Sequence, residues 1–279
     1  MVTEVLEHLK LHADSNVVDA TVGLGGHAEA ILSKTTGRLL GLDRDIQSLA
    51  LARERLAPFG RRVVLMQANF ASLASLIPAD FDPVHGIVMD LGLSSWQLAE
   101  RGFSFNREAA LDFRMDARDE TTAAELVNQL PEKDLADLLY RYGDEHRSRR
   151  IAKRIVEARD EEDILTTVRL ADIIASAIGR RGKIHPATKS FQALRIAVND
   201  ELGSLERGLA AATTVLEPGG RLAVISFHSL EDRIVKRFTQ DAAHLTRVNK
   251  RVIRPTDAET DANPRSRSAK LRVVEKKAD

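Results

Sequence analysis

Short runs rich in β-branched residues alternate with stretches of helical pattern from Val17 to Asp90, and this alternation constrains the fold more than any other feature. The extended runs are NVVDA, RLLGLDRD, RVVLMQAN and HGIVMDLG, and the helical stretches include GHAEAILSK and QSLALARERLA. Such alternation predicts a parallel sheet with crossover helices. A second block follows near the other end, where a helix from about Glu201 to Leu216 precedes RLAVISF and the helical LEDRIVKRF. We expect both blocks to contribute to one sheet.

The segment between the two blocks has a helical pattern without comparable strands. Thr122 and Glu125 form a capping-box pattern, Gly143 and Gly179 stand where helices end, and Pro186 suits a first helical turn. We therefore predict an α/β domain formed by residues 1–105 and 200–279, with an inserted α-helical domain at 106–199. The LRVV run near the C-terminus predicts an edge strand.

Composition restricts the classes of function. The 41 basic and 41 acidic residues cancel, so any contact with nucleic acid must be local, and no apolar run is long enough for a membrane helix. The first residues are too polar for a signal peptide, which predicts a cytoplasmic protein. The chain has no cysteine, which excludes disulfides, thiolate metal sites and cysteine nucleophiles within it.

A glycine-rich turn follows the first predicted strand. Gly23, Gly25 and Gly26 come between the strand that ends at Asp19 and the next helix. This arrangement lets the backbone approach a ligand closely and directs helix N–H groups toward it. Gly23, Gly25 and Ala28 also satisfy a loose dinucleotide fingerprint, so a nicotinamide-dependent oxidoreductase is an alternative. A purely structural turn is another.

Three predicted strands end in aspartate, and these residues indicate the ligand. Asp43 follows the glycines by about 20 residues, where a carboxylate accepts hydrogen bonds from ribose hydroxyls. Asp19 would repel a pyrophosphate but suits the ammonium and sulfonium groups of S-adenosylmethionine. Asp90 ends the fourth strand, and the carboxyl ends of parallel strands meet at one ligand crevice. The pattern favours S-adenosylmethionine, with a vestigial cofactor site in an RNA-binding protein as a further alternative.

Longer strings resemble one family, the ribosomal RNA small subunit methyltransferase H group. The matching strings, in family order along most of the chain, are DATVGLGGHAEAIL, GLDRD, MDLGLSSWQLAERGFSF, LDFRMD, HPATKSFQALRIAVNDEL, EPGGRLAVISFHSLEDRIVKRF and NPRSRSAKLR. The resemblance implies a class I S-adenosylmethionine-dependent methyltransferase fold, Rossmann-like, whose inserted helical domain helps to recognise the substrate. It also implies methylation of cytosine N(4) in the decoding region of 16S rRNA, near the P site. The cofactor positions that carry over are Gly25, Gly26, His27, Asp43, Phe70, Asp90 and Gln97, to which the strand and turn argument adds Asp19 and Gly23.

The absence of cysteine also bears on the reaction. Methylation of ring carbon five of cytosine needs a cysteine that first adds to the ring, whereas transfer to the exocyclic amine needs only positioning and hydrogen-bond acceptors. Asp90, Ser94 and Ser95 are the catalytic candidates, because related amino-methyltransferases place acceptors at this turn. Asn199, and Ser226 with His228, are alternatives, although a structural role is the simpler interpretation of His228.

The target base must be unpaired or flipped, so we expect local basic clusters to contact the 16S rRNA, free or within the small subunit. No metal and no membrane contact is expected, and the oligomeric state, monomer or homodimer, stays open. The predicted RNA-binding residues are Arg147, Arg149, Arg150, Lys153, Arg180, Arg181, Lys183, Lys189, Arg265 and Arg267.

Overall fold

A computed structural model describes residues 1–100, 102–179 and 185–278. The chain forms two compact units, one made of Met1–Gly92 with Leu202–Asp279 and the other of Leu93–Glu201. The predicted boundaries fall at 105/106 and 199/200, so the helical unit of the structure begins earlier and ends slightly later. No helix in the described ranges has the length and apolar character needed to cross a membrane.

The first unit contains every strand of the described sheet. Its amino-terminal part consists of α1 (Val2–Leu9), β1 (Val17–Asp19), α2 (Gly26–Leu32), β2 (Leu39–Asp43), α3 (Ile46–Leu56), β3 (Val63–Gln67), α4 (Leu73–Leu76) and β4 (Val84–Asp90). The helical unit then supplies α5 (Ser95–Glu100), α6 (Ala123–Gln129), α7 (Glu132–Gly143), α8 (Ser148–Glu161), α9 (Thr167–Ile178) and α10 (Thr188–Asn199). The chain returns through α11 (Glu201–Val215), β5 (Leu216–Ser226), α12 (Ser229–Asp241), β6 (Leu245–Arg247), α13 (Asp257–Ala262) and β7 (Lys270–Lys276). Short 3₁₀ helices lie at Ala57–Arg62, Phe70–Ser72 and Pro264–Ser268.

The seven strands of the described residues form one sheet in the order β3-β2-β1-β4-β5-β7-β6. Strands β1 to β5 are parallel, and β7 is antiparallel to both β5 and β6. The predicted class I methyltransferase fold, a mostly parallel Rossmann-like sheet with an inserted helical region, is confirmed. The predicted edge position of the C-terminal strand is wrong, because β7 lies between β5 and the short β6 and buries Val273 and Val274.

Both faces of the central sheet are covered, which explains the nearly continuous apolar runs of its strands. Side chains alternate between two clusters: Val18, Leu40, Ile87 and Met89 pack on one face, together with Leu222 and Val224. The opposite face carries Val17, Leu39, Val88, Ala223 and Ile225. Each fully buried aliphatic side chain contributes about 1.5–3 kcal/mol relative to exposure, so burial on both faces fixes the strand register.

The helical unit has its own core of buried side chains, which include Phe113, Leu135, Leu139, Ile151 and Leu194. Its helices begin and end at several predicted positions. Thr122 and Glu125 form the expected capping box, α7 ends at Gly143, and α9 is capped by Gly179. Pro186 lies two residues before α10 instead of in its first turn.

Candidate active site

The three strand-end aspartates lie on the same face of the sheet. Asp19 of β1 pairs in register with Gly41 of β2 and Val88 of β4, so Asp43 and Asp90 stand two residues further along the flanking strands. Because side chains alternate with a period of two, all three carboxylates point to one face. A two-residue offset corresponds to about 6.6 Å along a strand, which keeps the three groups within one site.

The glycine turn is tied to the neighbouring strand ends by hydrogen bonds. Gly23 and Gly25 adopt positive φ angles of 50° and 83°, a backbone region that a side chain disfavours. The Gly23 N–H donates to Asp43 Oδ2 at 2.9 Å. The Asp90 N–H donates to Thr21 Oγ1 at 2.6 Å. The turn is therefore fixed to both β2 and β4 before Gly26 begins α2.

The carboxylates of Asp43 and Asp19 differ in their hydrogen bonds and in their exposure. Asp43 accepts backbone N–H groups from Gly23 and Asp45 on its two oxygens, each of which retains a lone pair for another donor. Asp19 is only 2% exposed, and its Oδ1 accepts the Thr21 N–H at 3.3 Å. Asp43 is thus placed to contact a ligand, whereas Asp19 acts on the site through its charge and by supporting the turn.

The site concentrates negative charge in a poorly solvated place. Burial raises the pKa of Asp19 to about 7, and the nearby Asp90 and Asp43 carboxylates also raise it. Burial likewise raises the pKa of Asp90 to about 7, with a contribution from Glu231. Burial raises the pKa of Asp43 to about 6, against the effect of the Asp45 and Gly23 amides. A cationic ligand would stabilise the ionised forms of all three groups.

His27 follows the glycine turn and faces Asp90. Its Nδ1 lies 3.6 Å from Asp90 Oδ2. Burial lowers the pKa of His27 to about 4, so the imidazole is neutral at pH 7 and the two groups do not form an ion pair. His27 therefore offers neutral hydrogen-bonding nitrogens beside the Asp90 carboxylate.

Phe70 is held beside the sheet by an unusually close helix. It begins a 3₁₀ turn that Asn69 caps by accepting the Ala71 N–H at 2.9 Å, and the Asn69 amide donates to Ser204 at 3.0 Å. A Cβ on Gly208 of α11 would overlap the Phe70 ring. Gly208 therefore allows α11 to pack directly against Phe70, which is half-buried.

Ser94 and Gln97 form a reciprocal helix cap within the helical unit. The Gln97 N–H donates to Ser94 Oγ at 3.1 Å, and Gln97 Oε1 accepts the Ser94 N–H at 2.9 Å. This is the capping-box geometry, and it fixes the start of α5. Gln97 is 5% exposed. Ser95 begins α5, but its side chain lies outside the described part of the structure.

The Asn199 side chain is buried in the helical unit and hydrogen-bonded to backbone groups. It is 1% exposed, donates to the Phe113 and Arg195 carbonyls and accepts the Met115 N–H, all at 2.8 Å. These bonds hold Phe113 at a φ of 65°, a conformation that a non-glycine residue rarely adopts. The contacts favour a supporting role for Asn199 over a catalytic one.

Ser226 and His228 flank the carboxyl end of β5. Ser226 follows Leu222 and Val224 in the strand alternation, which directs it to the sheet face opposite the three aspartates. His228 caps α12 and accepts the Glu231 N–H on Nδ1 at 3.4 Å. Because Ser226 points away from the three aspartates, His228 is the stronger of these two candidates for a role in the active site.

The predicted RNA-binding residues differ in whether their side chains already contact other groups of the protein. Arg149 and Arg150 of α8 are exposed and have no ion-pair partner among the described residues. Lys153 lies 4.0 Å from Glu157, and Arg147 donates to the Ile178 carbonyl at 2.9 Å, while Lys189 donates to the Asp144 carbonyl at 2.8 Å. Arg265 and Arg267 are exposed on the 3₁₀ turn before β7. Arg180, Arg181 and Lys183 lie outside the described residues.

The chain is similar to known proteins along nearly its whole length. Residues 1–277 match the model of the MraW methylase family. A protein of Dehalococcoides mccartyi named ribosomal RNA small subunit methyltransferase H is 48% identical over 300 residues, covering 99% of this chain and 85% of the relative. A protein of the same name from Geotalea uraniireducens is 47% identical and covers 99% of this chain and 97% of the relative.

The chain belongs to the MraW methylase family. Among solved structures, a Streptococcus thermophilus rRNA methylase aligns with a TM-score of 0.48 and 13% identity, over 99% of this chain and 92% of that one. The nicotinamide oxidoreductase alternative is excluded by the family match along nearly the whole chain.

S-adenosyl-L-methionine is the cofactor of this family of methylases, and the donor set of this MraW methylase fits it. Asp90 Oδ1 and His27 Nε2 are buried and have no hydrogen-bond partner among the described residues. Buried polar atoms in native proteins are nearly always paired, so these atoms indicate a polar ligand. Three carboxylates with raised pKa values suit a cation, and the positive φ angles of Gly23 and Gly25 allow the tight turn beside them.

Several residues of the site escape sequence reasoning. Thr21 links the glycine turn to Asp90, and Gly208 allows α11 to pack against Phe70. The negative charge of Glu231 contributes to the raised pKa of Asp90. Thr21 lies within the string DATVGLGGHAEAIL that contains the glycine turn, so the sequence could have indicated its role. Gly208 and Glu231 lie in ordinary helical patterns, and only the tertiary packing reveals what they contact.

Proposed function

We propose that this MraW methylase transfers a methyl group from S-adenosylmethionine to the exocyclic N(4) amine of a cytidine in the decoding region of 16S rRNA. The names of its relatives, ribosomal RNA small subunit methyltransferase H, support the small-subunit rRNA as substrate. One observation best supports transfer to an amine. Asp90 Oδ1, at the end of the strand beside the glycine turn, is buried and has no hydrogen-bond partner among the described residues.

The cofactor supplies an electrophilic methyl group when it is bound. Asp43 would accept hydrogen bonds from its ribose hydroxyls, and the turn at Gly23, Gly25 and Gly26 would lie against it. Phe70 and Gln97 complete the proposed cofactor residues, and His27 supplies a neutral hydrogen-bonding partner. Asp19 lowers the electrostatic cost of a sulfonium close to the sheet edge.

Asp90 would accept a hydrogen bond from the target amine. This bond pulls on the N–H group, raises the electron density on nitrogen and aligns the amine for in-line attack. The bound cofactor would supply the methyl group to this nitrogen and leave as the neutral thioether, and the methylated amine would release one proton. Asp90, with a pKa of about 7, is matched to accept this proton near neutral pH. Ser94 and Ser95 remain proposed contributors at the following turn.

Direct transfer also agrees with the composition. A carbon-five methyltransferase adds a cysteine to the ring before methylation, and this chain contains no cysteine. The amine route needs no covalent enzyme intermediate.

The RNA would contact local basic residues, since the formal net charge of the chain is zero. Arg149 and Arg150 are the strongest members of the proposed set, because both are exposed and free of ion pairs among the described residues. A base must leave its stack to present its amine to a buried methyl group, so we propose an unpaired or flipped cytidine as the substrate.

Nucleoside mass spectrometry tests this function. Small subunits from cells that lack the protein are treated with the purified enzyme and S-adenosylmethionine, beside an Asp90→Asn variant. We expect N(4)-methylcytidine to appear only with the wild-type enzyme. Appearance of 5-methylcytidine, or of no methylated cytidine in free 16S rRNA or small subunits, would contradict the proposal.

A further inference from the structure

His228 carries an unexplained polar atom at the turn between β5 and α12. Its side chain is 11% exposed, and its Nε2 is buried without a hydrogen-bond partner among the described residues. Glu231 Oε1 lies 3.1 Å from this nitrogen, but the two groups are not aligned as a hydrogen bond. The capping role of His228 uses only Nδ1.

The cap determines which ring nitrogen carries the proton. Nδ1 accepts the Glu231 backbone N–H at 3.4 Å, so in the neutral ring the proton is on Nε2. The carboxylate of Glu231 in turn accepts the N–H groups of Phe227 and His228 at 2.8 and 3.3 Å, which fixes the turn. His228 therefore presents a rigid N–H donor.

The turn that carries His228 lies beside the end of β4. Asp90 pairs in register with Ile225, and the Leu91 N–H donates to the Ile225 carbonyl at 3.0 Å. A Cβ at Gly92 would lie 3.5 Å from the Phe227 ring, so the two turns are in contact. Asp43 and the glycine turn lie on the other side of Asp90 in the sheet, toward β1 and β2. The β5 side of Asp90 therefore lies away from the glycine turn.

We propose that His228 recognises the target base by donating from Nε2 to ring nitrogen N3 of cytosine, while Asp90 accepts from the N(4) amine. The inference rests on the proposed function and extends it to base selection. Cytosine offers a donor at position 4 and an acceptor at N3. Uracil offers an acceptor and a donor at these two positions, so it opposes the enzyme groups at both. The pair consequently selects cytosine.

A chemical double-mutant cycle tests this contact. Two synthetic RNA fragments of the target region are compared, one with cytidine and one with 3-deazacytidine, which replaces N3 by C–H, at the methylated position. The wild-type enzyme should lose about 10–100-fold in kcat/KM on the deaza substrate, the range expected for a hydrogen bond to a buried acceptor. His228→Asn retains a capping oxygen but lacks the distal donor. It should be slower on cytidine and should lose less than about threefold further on 3-deazacytidine.

His228→Gln provides the matched variant, because its side-chain amide restores a distal N–H donor, and it should regain sensitivity to N3. For a variant too slow to assay, the ratio of Kd values for the two RNAs in the presence of S-adenosylhomocysteine replaces the kinetic ratio. Equal N3 sensitivity in wild type and His228→Asn would overturn the inference while leaving the proposed function intact. Failure of the wild type to methylate the cytidine RNA or assembled small subunits at N(4) would overturn the proposed function itself.

Discussion

At the scale of single residues, Asp43 supports the glycine turn by accepting the Gly23 N–H, and we propose that the same carboxylate contacts the cofactor ribose. We expect Asp43→Ala to weaken S-adenosylmethionine binding by about 1.5–3 kcal/mol, because a hydrogen bond to a charged acceptor is lost. Titration calorimetry measures this change. Asp80→Asn, which removes an exposed carboxylate paired with Arg38, is the control and should bind the cofactor normally. Unchanged affinity in Asp43→Ala would rule out the ribose contact.

Asp19 predicts an unusual dependence of stability on pH. Its folded-state pKa of about 7 lies above the ordinary value of 3.8, so folding favours the protonated form. The associated stability is complete below about pH 4 and is lost as the pH rises to about 7. For this 2% exposed group the loss should be roughly 2–4 kcal/mol.

The measurement is urea denaturation of the ligand-free protein at pH 5 and pH 8, with wild type and Asp19→Asn side by side. The asparagine keeps an oxygen for the Thr21 N–H but does not titrate. Its free energy of unfolding should therefore fall less between the two pH values. An identical fall in both proteins would show that Asp19 does not titrate in this range.

At the scale of elements, the contact of α11 with the Phe70 turn depends on Gly208. Gly208→Ala should destabilise the protein by about 1–3 kcal/mol through overpacking, and it should also weaken cofactor binding if Phe70 lies against the cofactor. Thermal denaturation and calorimetry measure the two effects. Phe70→Leu in the same chain should recover part of the stability, because the smaller side chain makes room for the new methyl group. Destabilisation that is equal with and without Phe70→Leu would contradict the contact.

The elements also divide into those that the sequence predicts and those that it does not. The strands before Asp19, Asp43 and Asp90 were predictable because apolar runs with punctuating acids and glycines are local signals. The position of β7 in the sheet was not predictable, because β7 pairs with Arg221–Ser226, which are distant in the sequence. The Ser94 and Gln97 cap shows a similar limit, because the sequence analysis assigned ligand contacts to these residues, which stay predictions, and did not predict the cap.

At the scale of the whole molecule, zero net charge means that RNA affinity must come from a few local cations. The salt dependence of binding then reports how many phosphates are contacted. For single-stranded RNA the slope of log affinity against log salt is about −0.7 per phosphate contact. A protein of this composition should therefore show a modest slope that single substitutions change measurably.

Reversing the charge of Arg149 and Arg150 should weaken RNA binding and reduce the magnitude of this slope by about 1.4, as expected for two lost phosphate contacts. Lys133→Glu on α7 is the matched control, because it reverses an exposed cation outside the proposed set. Fluorescence anisotropy with a labelled rRNA fragment at several salt concentrations gives the slopes, and calorimetry should find cofactor affinity unchanged in all three proteins. Equal slopes for wild type and the double variant would mean that α8 does not hold the RNA through these arginines.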